Sequence, residues 1–172
     1  VDKEGYALSF NEVNINRMTE EIIDRFRAIS LTGISFSVSL PKEHLQYNVD
    51  QEALTKVVSN LLTNAMKYAR SRIMVILDEH LSAEGRTLSI CVRDDGPGIP
   101  QDECSKVFEP FYQVGNAGNN GSGVGIGLSL VKLLVEKHNG KVFINPNYAE
   151  GCEVCVEIPY LEKSIPATHA VT

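Results

Sequence analysis

Two periods of apolar residues run along the chain. Over residues 16–30, Ile22, Ile23, Phe26 and Ile29 recur at the three-and-four spacing of a helix with one buried face. Ile34, Phe36, Val38 and Leu40 then recur at every second position, which predicts a strand over 34–40 that Pro41 ends. A short strand over 10–14 precedes that helix, and an extended piece covers 46–49. Asp50 is placed to cap a long helix reaching residue 69, with Leu54, Val57, Val58, Leu61, Leu62 and Ala65 as its apolar stripe. Strands over 72–79 and 87–93 follow, joined by a polar loop at 80–86, and a Gly/Pro-rich turn occupies 94–100. A short helix is predicted over 102–107, and an uncharged Gly/Asn-rich loop over 114–123 reads as mobile. A helix over 127–138 stops at Asn139-Gly140, and strands over 141–145 and 152–160 close the reading. This order predicts an α/β two-layer sandwich, a mixed sheet covered by helices, over residues 8–160, with 161–172 as a tail or linker.

Composition narrows the class. With 172 residues, 43% hydrophobic and 22% charged, the chain matches an ordinary globular domain and excludes disordered and fibrous classes. A formal net charge of −6 argues against broad nucleic-acid binding. No run approaches the ~20 apolar residues of a membrane span. Asp2 and Glu4 do not fit a signal peptide, and the abrupt start reads as a cut from a longer chain. Cysteines stand at 91, 104, 152 and 155. Cys152 and Cys155, three apart on a strand, point to opposite faces, and no second Cys or His pair completes a zinc site. All four are expected to be free thiols in a reducing cytoplasm.

Four stretches carry chemistry. On the long helix, Asn60, Asn64, Lys67 and Tyr68 fall within about 100° of one another beside the apolar stripe. Amide oxygens suit Mg²⁺, a lysine suits phosphate, and a tyrosine ring suits a base. In Asp94-Asp95-Gly96-Pro97-Gly98, period two carries Asp94 onto the core face behind Leu88, Ile90 and Val92. A carboxylate there needs a donor, which an adenine amino group would supply. Gly121-Ser122-Gly123-Val124-Gly125-Ile126-Gly127 runs into a helix, where exposed N–H groups can receive a polyphosphate. It matches neither the dinucleotide fingerprint nor a P-loop. Phe108-Glu109-Pro110-Phe111 precedes the loop. Taken singly, each has a plainer reading: a solvated helix face, a turn with an outward Asp, a bare hinge, ordinary packing.

Taken in order, these stretches resemble the N, G1, F and G2 boxes of the catalytic ATP-binding domain of bacterial two-component sensor histidine kinases. That domain belongs to the GHKL superfamily with type II topoisomerases, mismatch-repair ATPases and heat-shock chaperones. The resemblance implies a Bergerat-type α/β sandwich with a mostly antiparallel sheet and about three main helices. It implies ATP and Mg²⁺ as cofactors, with Asn64 as the metal ligand and Asn60 the polar residue one turn earlier. Lys67 would contact phosphate, and Tyr68, Gly96, Gly98, Ile99 and Phe111 would shape the adenine pocket around Asp94. Gly123, Val124, Gly125, Ile126, Gly127 and Leu128 would hold the phosphate end under a lid over 114–122. It implies as partners the receptor's own dimerisation and phosphoacceptor domain and a downstream response regulator, with no nucleic-acid or membrane contact by this segment. An isolated domain would be a monomer and its parent a homodimer, with the kinase module in the cytoplasm. None of His44, His80, His138 or His169 sits in a motif like His-Glu-Leu-Arg-Thr-Pro, so the acceptor histidine is expected elsewhere. The alternatives are a nucleotide-binding interaction module, or a GHKL ATPase or serine kinase of another class.

Overall fold

The computed structural model describes residues 7–30, 33–112 and 127–162. Among them the order is β1 (Asn11–Asn14), α1 (Ile15–Ile29), β2 (Ser35–Ser39), β3 (Gln46–Val49), α2 (Gln51–Tyr68), β4 (Arg72–Ser82), β5 (Gly85–Asp94), α3 (Gly127–Lys137), β6 (Lys141–Ile144) and β7 (Cys152–Pro159). Five strands form one sheet in the order β2-β4-β5-β7-β6. The β2–β4 pair is parallel and the other pairs are antiparallel. The long connection that a parallel pair needs is supplied by β3 and α2. β1 and β3 pair separately into an antiparallel ribbon. This is the expected α/β sandwich with a mixed, mostly antiparallel sheet.

The core lies between the sheet and its helices. Ile73, Val75 and Leu77 of β4, Leu88, Ile90 and Val92 of β5, and Val154, Val156 and Ile158 of β7 are all buried. Facing them are Leu54, Val57, Val58, Leu61 and Leu62 of α2, and Val131, Leu134 and Val135 of α3. Each large side chain so buried contributes about 1.5–3 kcal/mol. Asp50 caps α2 as its sequence position predicts, accepting the Ala53 N–H at 2.9 Å.

Four local expectations are corrected. The polar stretch 80–86 is not a loop: β4 and β5 pair out to Ser82↔Gly85 in one long hairpin. Its outer end is solvated on both faces, with Leu81 75% exposed, so it lacks the apolar alternation that marks a half-buried strand. The stripe of α1 holds through half-buried Phe26 and stops there, leaving Ile29 66% exposed in the final turn. The predicted helix over 102–107 is two 3₁₀ turns, Gln101–Glu103 and Lys106–Phe108. A segment this short gains too few hydrogen bonds to offset α-helix nucleation. Finally, Cys91 and Cys155 are joined as a disulfide, while Cys104 and Cys152 are free thiols. Cys91 and Cys155 face each other across β5 and β7 in direct register, a long-range pairing invisible to spacing along the chain.

Candidate functional site

The site begins where β5 ends. Inward alternation through Leu88, Ile90 and Val92 carries Asp94 into the interior, where it is 4% exposed. Burial pushes its carboxyl above the ordinary carboxylate range, opposed by hydrogen bonds from the Gly96 and Cys152 N–H groups. The Gly96 N–H donates to Oδ1 at 2.8 Å. A Cβ at Gly96 would overlap the carbonyl oxygen of Tyr68, the last residue of α2. Gly98 takes φ +78°, and a Cβ there would sit 2.9 Å from the Gly151 carbonyl oxygen. The turn is therefore wedged between the end of α2 and the start of β7, with glycine required at both positions.

Asp95, not among the expected site residues, points the other way. Its carboxylate accepts the N–H groups of Arg70 at 2.8 Å, Ser71 at 3.0 Å and Arg72 at 3.1 Å, and the Ser71 hydroxyl at 2.7 Å. The hydrogen bonds from the Ser71 backbone and hydroxyl, followed by those from Arg72 and Arg70, hold it well below the usual range. It thus ties the α2–β4 turn, just past Tyr68, to the turn that carries Asp94. Strand alternation gives half of this: with Asp94 inward, Asp95 must point outward, whereas its partners before β4 come from the β4–β5 register.

The long helix carries the remaining polar strip. Asn60 and Asn64 are partly buried, Lys67 and Tyr68 are exposed, and the Lys67 ammonium lies 5.8 Å from the centre of the Tyr68 ring. Asn60 faces the start of α3: a Cβ at Gly127 would lie 3.6 Å from its Oδ1. The eight helical steps from Asn60 to Tyr68 span about 12 Å. One end of this strip therefore meets the N-terminus of α3, and the other meets the Asp94 turn. Ile99 and Leu128 are partly buried against the core. Phe108 is 8% exposed, whereas Phe111, at φ +64°, is 69% exposed. Gly123, Val124, Gly125, Ile126 and the lid expected over 114–122 lie outside the described residues.

A buried histidine fixes α3 against the start of α2. His138 is 1% exposed and its Nε2 accepts the Asp50 N–H at 3.1 Å. Its Nδ1 is 2.7 Å from the Leu134 carbonyl oxygen, which places the ring proton on Nδ1. Phe10 meets the imidazole edge-on at 5.2 Å, and the Ser9 N–H donates to Asp50 at 2.8 Å.

This donor set fits a Mg²⁺–adenine nucleotide. Hard amide oxygens and a lysine are on α2, and a buried carboxylate with unused acceptor capacity closes the far end. Residues 49–162 match the family described as histidine kinase-, DNA gyrase B-, and HSP90-like ATPase. The chain is 31% identical over 163 residues to the sensor histidine kinase WalK of Bacillus subtilis, covering 94% of this chain and 27% of that protein. It therefore spans about a quarter of the length of this relative and of the WalK protein of Staphylococcus haemolyticus. Among solved structures, the catalytic domain of the histidine kinase ThkA aligns with a TM-score of 0.74 at 26% identity, covering 89% of this chain and 97% of that one. The mycobacterial sensor histidine kinase MprB aligns with a TM-score of 0.73 at 26% identity, over 88% and 98%.

Proposed function

The chain belongs to the histidine kinase-, DNA gyrase B-, and HSP90-like ATPase family, and we propose that it is the ATP-binding kinase module of a sensor histidine kinase. In this reading it donates the γ-phosphate of ATP to a histidine on a separate dimerisation and phosphoacceptor domain. The observation that carries it is Asp94, a buried carboxylate at the end of β5 whose two backbone donors leave acceptor capacity for an adenine amino group. The likeness to WalK and to two histidine kinase structures supports the same reading. The domain is proposed to cover residues 8–160.

Each side chain has a task. Asp94 accepts from the base, and Tyr68, Gly96, Gly98, Ile99 and Phe111 shape its surroundings. Asn64 offers the amide oxygen for Mg²⁺, with Asn60 one turn earlier, and Lys67 meets phosphate. Gly123 to Gly127, with Leu128 behind them, receive the triphosphate on backbone N–H groups. Bound Mg²⁺ supplies charge neutralisation at the phosphates. What the chain itself supplies is orientation and fixed dipoles, which dominate catalysis of phosphoryl transfer. The implied partners are the receptor's phosphoacceptor domain and a response regulator, and the implied setting is the cytoplasmic side of a membrane-bound, homodimeric sensor. Neither nucleic acid nor membrane contact is assigned to this segment.

The test mixes the chain with a separately made histidine phosphoacceptor segment and labelled ATP–Mg²⁺. Transfer giving an acid-labile label on that segment is the expected outcome. An acid-stable label would assign a serine kinase, and ATP binding with no transfer to any acceptor would assign an interaction module.

A further inference from the structure

The outer face of the sheet carries a second set of reactive groups, on the side away from α2 and α3. Register sets Cys91 of β5 directly opposite Cys155 of β7, with Cα atoms 4.1 Å apart and the sulfurs joined. Both strands are internal, each paired on both sides. The sheet, not the bond, therefore brings the two side chains together. The surroundings also suit thiols. Glu153 Oε1 lies 3.3 Å from Cys155 Sγ, and Ser89 Oγ lies 3.7 Å from Cys91 Sγ. A carboxylate oxygen accepts a hydrogen bond from an S–H, whereas a disulfide sulfur has no hydrogen to give. Glu153 is held independently, by an ion pair with Arg93 and by the Asn145 amide at 2.8 Å, so its place does not depend on the sulfur. The two cysteines differ in access: Cys155 is 4% exposed and Cys91 is only half-buried.

We propose that Cys91 and Cys155 form a reversible dithiol–disulfide pair, closed and opened by exchange with low-molecular-weight disulfides and thiols through Cys91. On closing, the Cys91 thiolate attacks one sulfur of the external disulfide, forming a mixed disulfide and releasing one thiolate. The Cys155 thiolate then attacks Cys91 Sγ and displaces the second. Two cysteine thiols lose two electrons, the external S–S bond gains them, and the two cysteine protons end on the two released thiols. Opening is the reverse, with external thiol as reductant. Cys104 and Cys152 take no part. Cys152 lies on the core face, and the Cys104 thiol donates to the carbonyls of Ile99 and Pro100.

The folded chain is equilibrated in glutathione buffers of graded ratio, quenched in acid, alkylated in denaturant and weighed. Two thiols are expected to appear together toward the reducing end, with Cys104 and Cys152 alkylated throughout and the far-UV dichroism unchanged. Cys155→Ser should accumulate a glutathione adduct on Cys91, and Cys91→Ser should form one on Cys155 roughly tenfold more slowly, following access. The proposal is overturned if the pair stays closed in strongly reducing buffer, if it never closes in oxidising buffer, or if the two single variants label equally. Retention of zinc by the reduced pair would also overturn it, assigning Cys91, Glu153 and Cys155 to a metal instead. No nucleotide enters this assay, so its failure would leave the kinase reading untouched.

Discussion

Two neighbouring aspartates show how position decides what one functional group does. Asp94 is buried and its carboxyl is raised, so the folded chain binds that proton more tightly than the unfolded chain does. Above the ordinary value of 3.8, ionised Asp94 therefore costs stability, and the cost fades as pH falls toward that value. Asp94→Asn keeps an acceptor oxygen for the Gly96 N–H and removes the charge. At pH 7 the variant should unfold at equal or higher denaturant concentration than the parent, yet bind ATP more weakly by about 1.5–3 kcal/mol, the worth of a hydrogen bond to a charged group. Calorimetry showing unchanged ATP affinity would remove Asp94 from the base site. Asp95 has the opposite sign. Its carboxyl is lowered, so it contributes stability above 3.8 that is lost as pH falls through its folded value. Asp95→Ala frees the N–H groups of Arg70, Ser71 and Arg72 from their common acceptor. The variant should melt below the parent at pH 7, and the gap should narrow as the pH of the melts is taken below 3.8. Equal melting at both ends of that range would mean the turn holds without Asp95.

At the scale of elements, what could be read from the chain depended on where burial was one-sided. α2, with its cap at Asp50 and its stripe from Leu54 to Ala65, sits on the core with one face, and its bounds were legible. The outer half of the β4–β5 hairpin projects past the core, and nothing in its residues distinguishes it from a loop. The site divides in the same way. The strip Asn60–Asn64–Lys67–Tyr68 follows from helical geometry alone, and Asp94 follows from strand alternation. The contact of Gly96 with the Tyr68 carbonyl, the Asp95 clasp and the β5–β7 cysteine pair are long-range consequences of register, so local pattern could not supply them. His138 belongs to that hidden class. It stands 88 residues from Asp50 and yet gives the N-terminus of α2 an acceptor. His138→Leu should leave the Asp50 N–H unpaired in a partly buried place, at a cost of about 1–3 kcal/mol. Urea unfolding should show a lower midpoint at an unchanged slope. An unchanged midpoint would mean that water or a neighbour replaces the imidazole.

At the scale of the molecule, the proposed nucleotide site is assembled from parts that share one core. α2 and α3 both pack on the sheet within a single hydrophobic cluster, and β5 and β7, whose ends frame Asp94, are both internal strands of that sheet. A ligand held at both ends of the Asn60–Tyr68 strip would therefore be felt by the whole domain and not by one segment. Binding to the folded chain alone stabilises it by RT ln(1 + [L]/Kd), about 2.7 kcal/mol at a hundredfold excess over Kd. For a domain of this size each kcal/mol moves the melting temperature by about 2–4 °C, so ATP–Mg²⁺ should raise it by about 5–11 °C at that excess. Stabilisation should come as one cooperative transition, since the core is not divided. GTP–Mg²⁺ at the same concentration should give little shift, because its carbonyl offers Asp94 an acceptor where adenine offers a donor. Asp94→Asn should lose most of the ATP shift while keeping its own melting temperature. Equal shifts with ATP and GTP would show that the phosphates alone are recognised, and no shift with either would remove the nucleotide site on which the kinase reading stands.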